Sequence, residues 1–520
     1  FKELDMFYVD TIDPEKVINY SIEAMLAQTD PYTEYYPEED NTLKEMTSGK
    51  FGGIGSVIRY YTPRKRVAII EPSEGSPAAE AGLQAGDIIM EINGKAQGDR
   101  TPNELTSYVS DNLRGDPGTT CVLKLERPTA DSTYIPMELK ITRGTIRTNP
   151  VPYYGMVDKN IGYIAISTFA IEGCSKDIKK ALIELKQQGA TSIVLDLRGN
   201  GGGLLSEAVN VVNFFVPKGK EIVVTKGKIK QAGSTYKTSN EPIDMEIPLT
   251  VLVDGATASA AEIVSGSLQD LDRAVIVGNR TYGKGLVQVP RELPYNSSMK
   301  VTTAKYYIPS GRCIQAIDYA KRNADGSVAR IPDSLTTVFH TAAGREVRDG
   351  GGIRPDVEVK AERFPNIMFY LLNDDMIFDY ATQYCIKHPN IGEVKDFSVT
   401  DADYDDFKQM LKKRNFTYDR QSEKSLKNLK EIAEFEGYME GASEEFAALE
   451  KKLTHNLDHE LNRFSKQIRK AIAEEIVKRH YFQRGVILER MKDDADLTKA
   501  IETLKDKEGY TKILSVPADK

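Results

Sequence analysis

A serine at position 259 stands where a strand-like run gives way to a helical pattern. The run from Leu249 to Val253 is apolar, and the helical pattern after Ser259 continues as far as Asp270. Unpaired backbone amides at the start of a helix can stabilise an oxyanion that forms beside a serine there. Ser259 is therefore a candidate nucleophile. The same serine, three residues before Glu262, also fits a capping box, which needs no catalysis to explain it.

A serine nucleophile needs a base, and the chain offers few histidines for that role. Of its five histidines, only His340 lies outside the C-terminal part with helical patterns. Lysine can act as the base when burial lowers its pKa toward neutrality. Lys284 is the natural candidate, because the glycines at 283 and 285 let its amine approach another element closely.

A third element is the glycine-rich loop Asp196-Leu-Arg-Gly-Asn-Gly-Gly-Gly203, which directly follows a strand-like run. Its glycines let the main chain approach a ligand closely and could offer a second oxyanion donor. Taken alone, the loop fits a sharp strand-to-helix turn equally well.

Two other motif-like patterns are rejected on their chemistry. Gly278 to Lys284 satisfies the first seven positions of a phosphate-binding loop, but Gly285 replaces the Ser or Thr that would hold magnesium, and a strand-like run follows. His455 and His459 have helical spacing, but Asn456 stands where a zinc protease has Glu. We therefore expect no nucleotide, metal or other cofactor.

The composition fits an ordinary globular protein of several domains. The 520 residues are 40% hydrophobic and 28% charged, and 69 basic against 77 acidic residues give a net charge of −8, which argues against nucleic-acid binding. No stretch approaches the roughly 18 uninterrupted apolar residues of a membrane-spanning helix. The four cysteines lie far apart, which excludes a zinc ribbon and a dense disulfide scaffold. The first residue is Phe1 rather than Met, which is compatible with an upstream targeting segment.

The pattern along the chain divides it into four segments. Residues 1–47 are predicted to be an N-terminal helical segment, and residues 48–145 combine strands, short helices and a hairpin at Asn93-Gly94. Residues 146–370 alternate strand-like and helical patterns, which is typical of βα units on a largely parallel sheet. Residues 371–520 are proline-poor and are predicted to be all-helical. The strand candidates of the third segment are Ile161–Phe169, Ser192–Leu197, Leu249–Val253 and Ala274–Val277.

The second segment carries an ordered set of turn glycines and helix caps. In the loop Gly52-Gly53-Ile54-Gly55, backbone N–H groups can converge on a carboxylate. A short helix is predicted from Ser76 to Gly82, and Thr101-Pro-Asn-Glu104 is a capping box for a second helix. Leu105 and Val109 of that helix are expected to line a groove against the glycine-rich strand.

This ordered set resembles a PDZ domain. The matching residues are Gly52-Gly53-Ile54-Gly55, Gly75-Ser-Pro-Ala78, Ala81-Gly-Leu83, Gly86-Asp-Ile-Ile89, Ile92-Asn-Gly94 and Leu113-Arg-Gly115. Such domains take a C-terminal peptide as an added strand. The resemblance implies that the amides of the loop Gly52 to Gly55 hold the carboxylate of that peptide.

Together, these motifs resemble the carboxyl-terminal processing proteases, which are serine peptidases with a Ser/Lys dyad. The matching residues between positions 7 and 360 are Asp30-Pro31-Tyr32, Thr257-Ala-Ser-Ala-Ala-Glu-Ile263, Leu268-Gln-Asp270, Arg273-Ala274, Gly278, Thr281-Tyr-Gly-Lys-Gly285 and Val287-Gln288. The family's nucleophile falls on Ser259, its general base on Lys284, and its amine-orienting residue on Gln288. The resemblance also implies two backbone oxyanion donors, the amide of Ala260 and that of one glycine, Gly202 or Gly203.

The resemblance implies a fold and a function. The fold is a PDZ domain followed by a crotonase/ClpP-like α/β serine-protease core, between an N-terminal helical segment and a C-terminal all-helical region. The function is cleavage of protein or peptide substrates near or from their C termini, with the PDZ domain binding that terminus and gating access. Periplasmic or cell-envelope localisation rests on the resemblance alone.

Two further expectations concern alternatives and partners. The charged C-terminal helices are candidates for self-association or for binding an adaptor, and no nucleic acid or nucleotide is expected. The competing interpretation is a catalytically silent PDZ scaffold in which Ser259 only caps a helix.

Overall fold

The chain forms two compact units. A computed structural model describes residues 1–38, 50–229, 231, 233–323, 325–360, 362–418, 420–453 and 456–515. The first unit contains Phe1–Phe51, Arg147–Ala361 and Asp494–Lys520, and the second contains Gly52–Ile146 and Glu362–Asp493. The first unit has a hydrophobic core of its own, and the second unit has one core around its sheet and another among its helices.

The helices and strands of the described residues are as follows, in chain order. The helices are α1 (Lys2–Phe7), α2 (Pro14–Leu26), α3 (Pro77–Glu80), α4 (Pro102–Leu113), α5 (Cys174–Gln187), α6 (Leu205–Val212), α7 (Ala260–Asp270), α8 (Asn366–Asn373), α9 (Met376–Lys387), α10 (Asp401–Lys413), α11 (Gln421–Phe435), α12 (Met439–Leu453), α13 (Leu457–Arg463), α14 (Ser465–Met491), α15 (Ala495–Lys505) and α16 (Lys507–Ile513). The strands are β1 (Glu34–Tyr36), β2 (Lys50–Gly53), β3 (Ser56–Tyr61), β4 (Arg66–Pro72), β5 (Ile88–Ile92), β6 (Lys95–Ala96), β7 (Thr120–Pro128), β8 (Tyr134–Thr142), β9 (Gly144–Arg147), β10 (Tyr153–Asp158), β11 (Ile161–Ala165), β12 (Ser192–Asp196), β13 (Glu221–Gly227), β14 (Ser234–Lys237), β15 (Leu249–Val253), β16 (Val275–Gly278), β17 (Leu286–Glu292), β18 (Ser298–Tyr307), β19 (Ile317–Arg322), β20 (Val328–Arg330), β21 (Val338–His340), β22 (Glu346–Arg348) and β23 (Val357–Glu358).

The core of the first unit is a six-stranded sheet in the order β10-β11-β12-β15-β16-β23. Strands β11 to β23 of this sheet run parallel, and β10 joins the edge antiparallel to β11. Ile193, Leu195 and Val251 on one face are completely buried in the core shared with α5, α6 and α7. The largely parallel sheet predicted from the alternating pattern is confirmed.

The opposite face of this sheet is covered by the last helices of the chain. Val194 and Leu252 point away from α5 to α7, because side chains alternate along a strand, yet both are fully buried. Helix α15 packs against β12, β15 and β16, and the Tyr510 hydroxyl in α16 bonds to the N–H and the carbonyl of Leu249. A parallel sheet needs cover on both faces. The structure therefore differs from the predicted C-terminal domain 371–520, because its last two helices complete the first unit.

An antiparallel sheet in the same unit has the order β1-β18-β13-β14, with β17 also paired to β18. Strand β1 places Glu34 opposite Lys300 of β18. The N-terminal segment predicted to be helical over 1–47 thus contains α1 and α2 and then a strand. The run Glu34-Tyr-Tyr36 is too short to show a periodicity, but tyrosine favours strands and β18 offers an edge.

In the second unit, residues 52–146 contain an antiparallel sheet in the order β3-β4-β5-β7-β8, with β6 paired to β5. The predicted hairpin is confirmed, since Asn93 and Gly94 join β5 to β6 with φ of 52° and 76°. Thr101 forms the predicted capping box with Glu104 at the start of α4.

Helices α8 to α14 form the rest of the second unit, and α8, α9, α10, α13 and α14 share a core of their own. Helix α14 is broken at Phe482, whose φ of 52° and ψ of −152° are not helical. His455, one of the two histidines weighed as zinc ligands, lies outside the described residues. Among the residues that the structure describes, no helix is both long enough and apolar enough to cross a membrane.

Candidate active site

The backbone of Ser259 distinguishes it from the Ser and Thr residues that cap other described helices with their side chains. Ser76, Thr101 and Thr400 cap their helices from extended backbone, with φ of −87°, −62° and −70°. Ser259 has φ of 55° and ψ of −117°. Such a conformation costs a non-glycine residue about 1–3 kcal/mol and is held only by its surroundings. An ordinary serine cap gives no reason for that cost.

One buried carboxylate joins Ser259 to the lysine loop. The Oε2 atom of Glu262 accepts hydrogen bonds from the N–H of Ser259 and the N–H of Lys284, both at 2.9 Å. Its Oε1 accepts from the Thr281 hydroxyl and, at 2.8 Å, from the N–H of Gly283. Burial raises the pKa of Glu262 to about 7, although these donors oppose the rise. Glu262, the glutamate of the capping box, thus also anchors the lysine loop.

A second bridge between the two segments comes from Tyr306 on β18. Its hydroxyl lies 2.7 Å from the carbonyl oxygen of Lys284 and 3.1 Å from that of Ser259. The side chain is almost completely buried. Each of the two main chains is therefore held at its N–H by Glu262 and at its carbonyl by Tyr306.

The Lys284 amine lies against an aromatic ring and close to charged groups of both signs. Its Nζ is 4.1 Å from the centroid of the Tyr32 ring. Burial lowers the pKa of Lys284, and the positive charge of Lys300 lowers it further. The carboxylates of Asp30 and Glu34 act in the opposite direction. A lysine with a lowered pKa has the property that a general base needs near neutral pH.

The candidate side chains are not hydrogen-bonded to one another. In the part of the chain that the structure describes, no hydrogen bond joins Nζ of Lys284 to Oγ of Ser259. The Nε2 atom of Gln288 donates to the Thr302 hydroxyl at 3.1 Å, so the amide group is fixed by β18 and not by the lysine. The structure thus brings the backbones of Ser259 and Lys284 together while their side chains remain unbonded.

The glycine-rich loop lies directly against Ser259. A Cβ atom on Gly202 would come within 2.8 Å of both the Ser259 Cβ and the Ala260 nitrogen, and the φ of 97° also favours glycine. A Cβ on Gly203 would overlap the neighbouring turn. The N–H of Gly202 donates to Asn200 Oδ1 at 2.9 Å, so this candidate oxyanion donor is engaged. Ala260 is the first residue of α7, where an amide has no partner within the helix.

Arg198 connects this loop to the start of α15. Its guanidinium forms a fork with Asp494, at 2.9 and 2.7 Å, and also bonds to Asp496 at 3.0 Å and to Asp196 at 2.6 Å. Asp494 also caps α15 by accepting from the N–H of Leu497. The start of α15 therefore helps to fix the loop that lies against Ser259.

In the second unit, the glycine loop of residues 52–55 turns its carbonyls inward. The Ile54 carbonyl accepts from the N–H of Ala78 at 2.8 Å, and the Gly55 carbonyl accepts from the Ser76 hydroxyl at 2.8 Å. In a trans peptide the following N–H points the opposite way. The N–H groups of Gly55 and Ser56 therefore point away from Ala78 and Ser76, which is the orientation that a carboxylate site on this loop would need.

The strand after this loop, β3, is the edge strand of its sheet. An edge strand can accept an added peptide strand. Leu105 and Val109 of α4 were expected to line the groove, but they are 1% and 0% exposed and pack with Ile54 in the core. Their helical spacing identified an apolar face, and the domain's own sheet covers that face.

Comparison with known proteins assigns the segments. The description "Peptidase family S41" matches residues 160–321, "PDZ domain" matches residues 69–127, and "Probable PDZ-protease, C-terminal helical domain" matches residues 367–504. The chain is 36% identical over 324 residues to the carboxy-terminal-processing protease of Bartonella bacilliformis, which covers 61% of this chain and 71% of that protein. The chain belongs to the carboxy-terminal processing protease family.

Other carboxy-terminal processing proteases are similar over the same region. Identity is 38% over 284 residues to the protein of Picosynechococcus sp., covering 54% of this chain and 66% of that one. The chain is also 33% identical over 316 residues to the carboxy-terminal processing protease of Bacillus subtilis, which covers 60% of this chain and 65% of that protein. A solved photosystem II D1 C-terminal processing protease is 28% identical, covering 70% of this chain and 87% of that one, with a TM-score of 0.38. Like its family, the chain combines a peptide-binding PDZ domain with a serine-type peptidase domain.

Three contributors to this site were not predicted from the sequence. The anchoring role of Glu262 had a local signal, its position three residues after Ser259. Tyr32 lay in the matched lead-in Asp30-Pro-Tyr32, but nothing in the sequence placed its ring on Lys284. Tyr306 lies on a strand with no motif, so only the fold reveals its contact.

Proposed function

We propose that the chain is a serine endopeptidase that cleaves proteins near or from their C termini, with Ser259 as nucleophile and Lys284 as general base. The observation that supports this most directly is that two side chains, those of Glu262 and Tyr306, each contact the main chains of both Ser259 and Lys284. Glu262 binds both N–H groups, and the Tyr306 hydroxyl lies between both carbonyls. Catalysis by two groups needs such a fixed relation between their main chains. A serine that only caps a helix does not.

The reaction begins when neutral Nζ of Lys284 takes the proton of the Ser259 hydroxyl as Oγ attacks the carbonyl carbon of the scissile peptide. The new C–O bond displaces the carbonyl electron pair onto oxygen. The lysine ammonium then gives its proton to the leaving amine as the C–N bond breaks, which leaves an acyl-enzyme. Water, deprotonated by the same lysine, hydrolyses the ester and restores Ser259.

Two further groups support these steps in the proposal. The Ala260 amide and that of Gly202 or Gly203 stabilise the oxyanion. Gly202 acts as an oxyanion donor when its N–H releases Asn200 Oδ1 and bonds to the oxyanion instead. The Nε2 of Gln288 is held by β18, which leaves the amide oxygen to accept from the Lys284 amine and orient it.

The surrounding segments complete the proposal. The parallel core with the serine at the start of α7 suits a crotonase/ClpP-like protease fold. The amides of the loop 52–55 bind the substrate's C terminus, and the PDZ domain gates access. Phe435 at the end of α11 is 93% exposed, and Tyr438 between α11 and α12 is 67% exposed. These exposed aromatic side chains suit self-association or adaptor binding. Activity in the periplasm or cell envelope is proposed from the family resemblance alone.

The test compares wild type with Ser259→Ala and Lys284→Ala on an unfolded protein that has an apolar C terminus. Mass spectrometry follows the peptide products, and thermal melting checks the fold of each variant. Ser234→Ala and Lys305→Ala change the same residue types at exposed positions of the same unit and serve as controls. We expect both site variants to lose cleavage by about 10⁴-fold or more and both controls to keep it.

Each other outcome has a clear meaning. Cleavage by Ser259→Ala would refute the mechanism. A folded wild type that cleaves nothing, with Ser259→Ala changing only stability, would favour the silent PDZ scaffold.

A further inference from the structure

We propose that Tyr32 is a positioning residue that holds the Lys284 amine in its charged resting state, and that the amine must leave the Tyr32 ring before it acts on Ser259. The role given to the lysine rests on the proposed function above. The starting observation is that Nζ lies 4.1 Å from the ring centroid, while no hydrogen bond to Ser259 Oγ is present among the described residues.

The Tyr32 ring is fixed at both ends. Its backbone N–H donates to Asp30 Oδ1 at 2.8 Å. Its hydroxyl lies 3.3 Å from the hydroxyls of Tyr282 and Tyr319, and the Tyr319 ring packs edge-on at 6.0 Å between centroids. Because Tyr282 is two residues before Lys284, the ring is anchored to the lysine's own loop. These bonds fix the position of the ring that the Lys284 amine contacts.

The chemistry of the contact favours the charged amine. The face of an aromatic ring attracts an ammonium group and has no such attraction for a neutral amine, which changes the balance between the two by about 2- to 30-fold. A general base must be neutral to take a proton. The ring therefore opposes the effect of burial, which lowers the pKa of Lys284. The other charged groups that act on this amine are Lys300 on β18, Asp30 before β1, Glu34 in β1 and Glu262 on α7.

Only the side chain of Lys284 needs to move for activation. Its N–H is held by Glu262 and its carbonyl by Tyr306, so the main chain stays in place. Rotation about the side-chain bonds of Lys284 moves its amine from the ring of Tyr32 to the hydroxyl of Ser259.

The turn that carries Tyr32 is also connected to Gln288. The Thr33 hydroxyl donates to Asp30 Oδ2 at 3.1 Å and accepts from the N–H of Thr302 at 3.2 Å. The Thr302 hydroxyl in turn accepts from Gln288. A shift of this turn therefore reaches both the lysine and the residue proposed to orient it.

The primary test measures the pKa of Lys284 without using activity. Competitive acetylation of the full chain over a range of pH, read by mass spectrometry, gives the titration midpoint of a single lysine. The tryptic peptide Thr281–Arg291 contains Lys284 as its only lysine. Tyr32→Leu and Tyr32→Met remove the aromatic face but keep apolar bulk, Tyr32→Phe keeps the face, and Tyr20→Leu, at a 67% exposed tyrosine of α2, is the control.

We expect the midpoint to fall in Tyr32→Leu and Tyr32→Met by an amount that corresponds to about 2- to 30-fold in the proton equilibrium. Tyr32→Phe and Tyr20→Leu should stay close to wild type. In cleavage assays, the acid limb of the pH–rate profile should move to lower pH in the same two variants, with a higher rate below the wild-type midpoint.

The opposite results would overturn the proposal. A midpoint that rises in the folded Leu and Met variants would show that the ring acts by excluding water, and an unchanged midpoint would show that it only packs. An effect of Tyr32→Phe equal to that of Tyr32→Leu would assign the role to the hydroxyl. If the midpoint falls as expected but no variant cleaves any substrate, the contact is established and the proposed peptidase function fails separately.

Discussion

Arg198 and Asp494 lie 296 positions apart in the chain and meet in a two-pronged hydrogen-bonded ion pair. The arginine belongs to the loop beside Ser259, and the aspartate caps α15. Such a fork fixes the orientation of the guanidinium as well as its position. The start of α15 therefore helps to fix the conformation of the glycine loop.

Asp494→Asn tests this connection. Asparagine caps a helix about as well as aspartate, so the substitution removes the charge and keeps the cap. We expect the free energy of unfolding to fall by about 1–3 kcal/mol, because a hydrogen bond between charged groups is lost. The turnover number should fall several-fold with little change in KM. Denaturant unfolding and steady-state cleavage assays measure both.

Asp506→Asn is the matched control for that experiment, since Asp506 caps α16 through the N–H of Gly509. It should change stability by no more than about 0.5 kcal/mol. Wild-type stability and activity in Asp494→Asn would show that the fork does not shape the loop.

Gly202→Ala should inactivate the protein while leaving most of its fold intact. The added Cβ would lie 2.7 Å from the Ala258 carbonyl oxygen and 2.8 Å from the Ala260 nitrogen. It would thus occupy the space in front of the proposed oxyanion donor. We expect kcat/KM to fall by about 10²-fold or more. Gly201→Ala is the control, because no atom lies near its Cβ, and its activity should stay close to wild type. Equal activity in both variants would exclude Gly202 from the oxyanion site.

The parts of the site that sequence could predict are those with local signals. Ser259 lies at a strand-to-helix boundary, Lys284 has glycines on both sides, and the loop ending at Gly203 follows a strand. Each of these features depends on residues that are neighbours in the chain, so the order and spacing of residue types in the sequence are enough to predict it. The parallel sheet was predictable for the same reason, because each of its buried strands is a largely apolar run.

The remaining contacts depend on tertiary placement. Asp494 shows no sign in the sequence that it will bond to Arg198, since nothing local encodes which loop a helix start will meet. Leu105 and Val109 show a related limit. Periodicity marks an apolar face, but it does not say whether a ligand or the domain's own core will cover it.

Stability should depend on pH through Glu262. Burial raises the pKa of this carboxyl from its ordinary 4.5 to about 7 in the folded chain. The folded state therefore holds a proton that the unfolded state has released between these values, so the stabilisation is complete below 4.5 and is lost as the pH rises through 7. We expect the free energy of unfolding to fall by up to about 3 kcal/mol across that range.

Glu262→Gln should flatten this dependence, because glutamine cannot ionise, although the variant should be less stable at every pH since its NH₂ group faces N–H donors. Thermal melts at a series of pH values measure the slope. Glu221→Gln changes an exposed carboxyl of the same unit and should keep the wild-type slope. A wild-type slope in Glu262→Gln would assign the pH dependence to another group.

The ion pair between Lys300 and Glu34, 2.6 Å apart, gives an opposed pair of tests for the base. Lys300 lowers the pKa of Lys284 and Glu34 raises it. Lys300→Gln should therefore move the acid limb of the pH–rate profile to higher pH, and Glu34→Gln should move it to lower pH. Because both charges are partly exposed, we expect shifts of about 0.3–1 pH unit, which shrink as salt is added.

The two variants break the same ion pair, so a purely structural effect of losing it would move both profiles in the same direction. Opposite shifts can only come from the charge that each residue places near Lys284. The measurement is kcat/KM for one peptide over a range of pH at low and high salt, with melting curves to confirm that both variants are folded. Shifts in the same direction would assign the change to the loss of the ion pair and would contradict a direct effect of the two charges on Lys284.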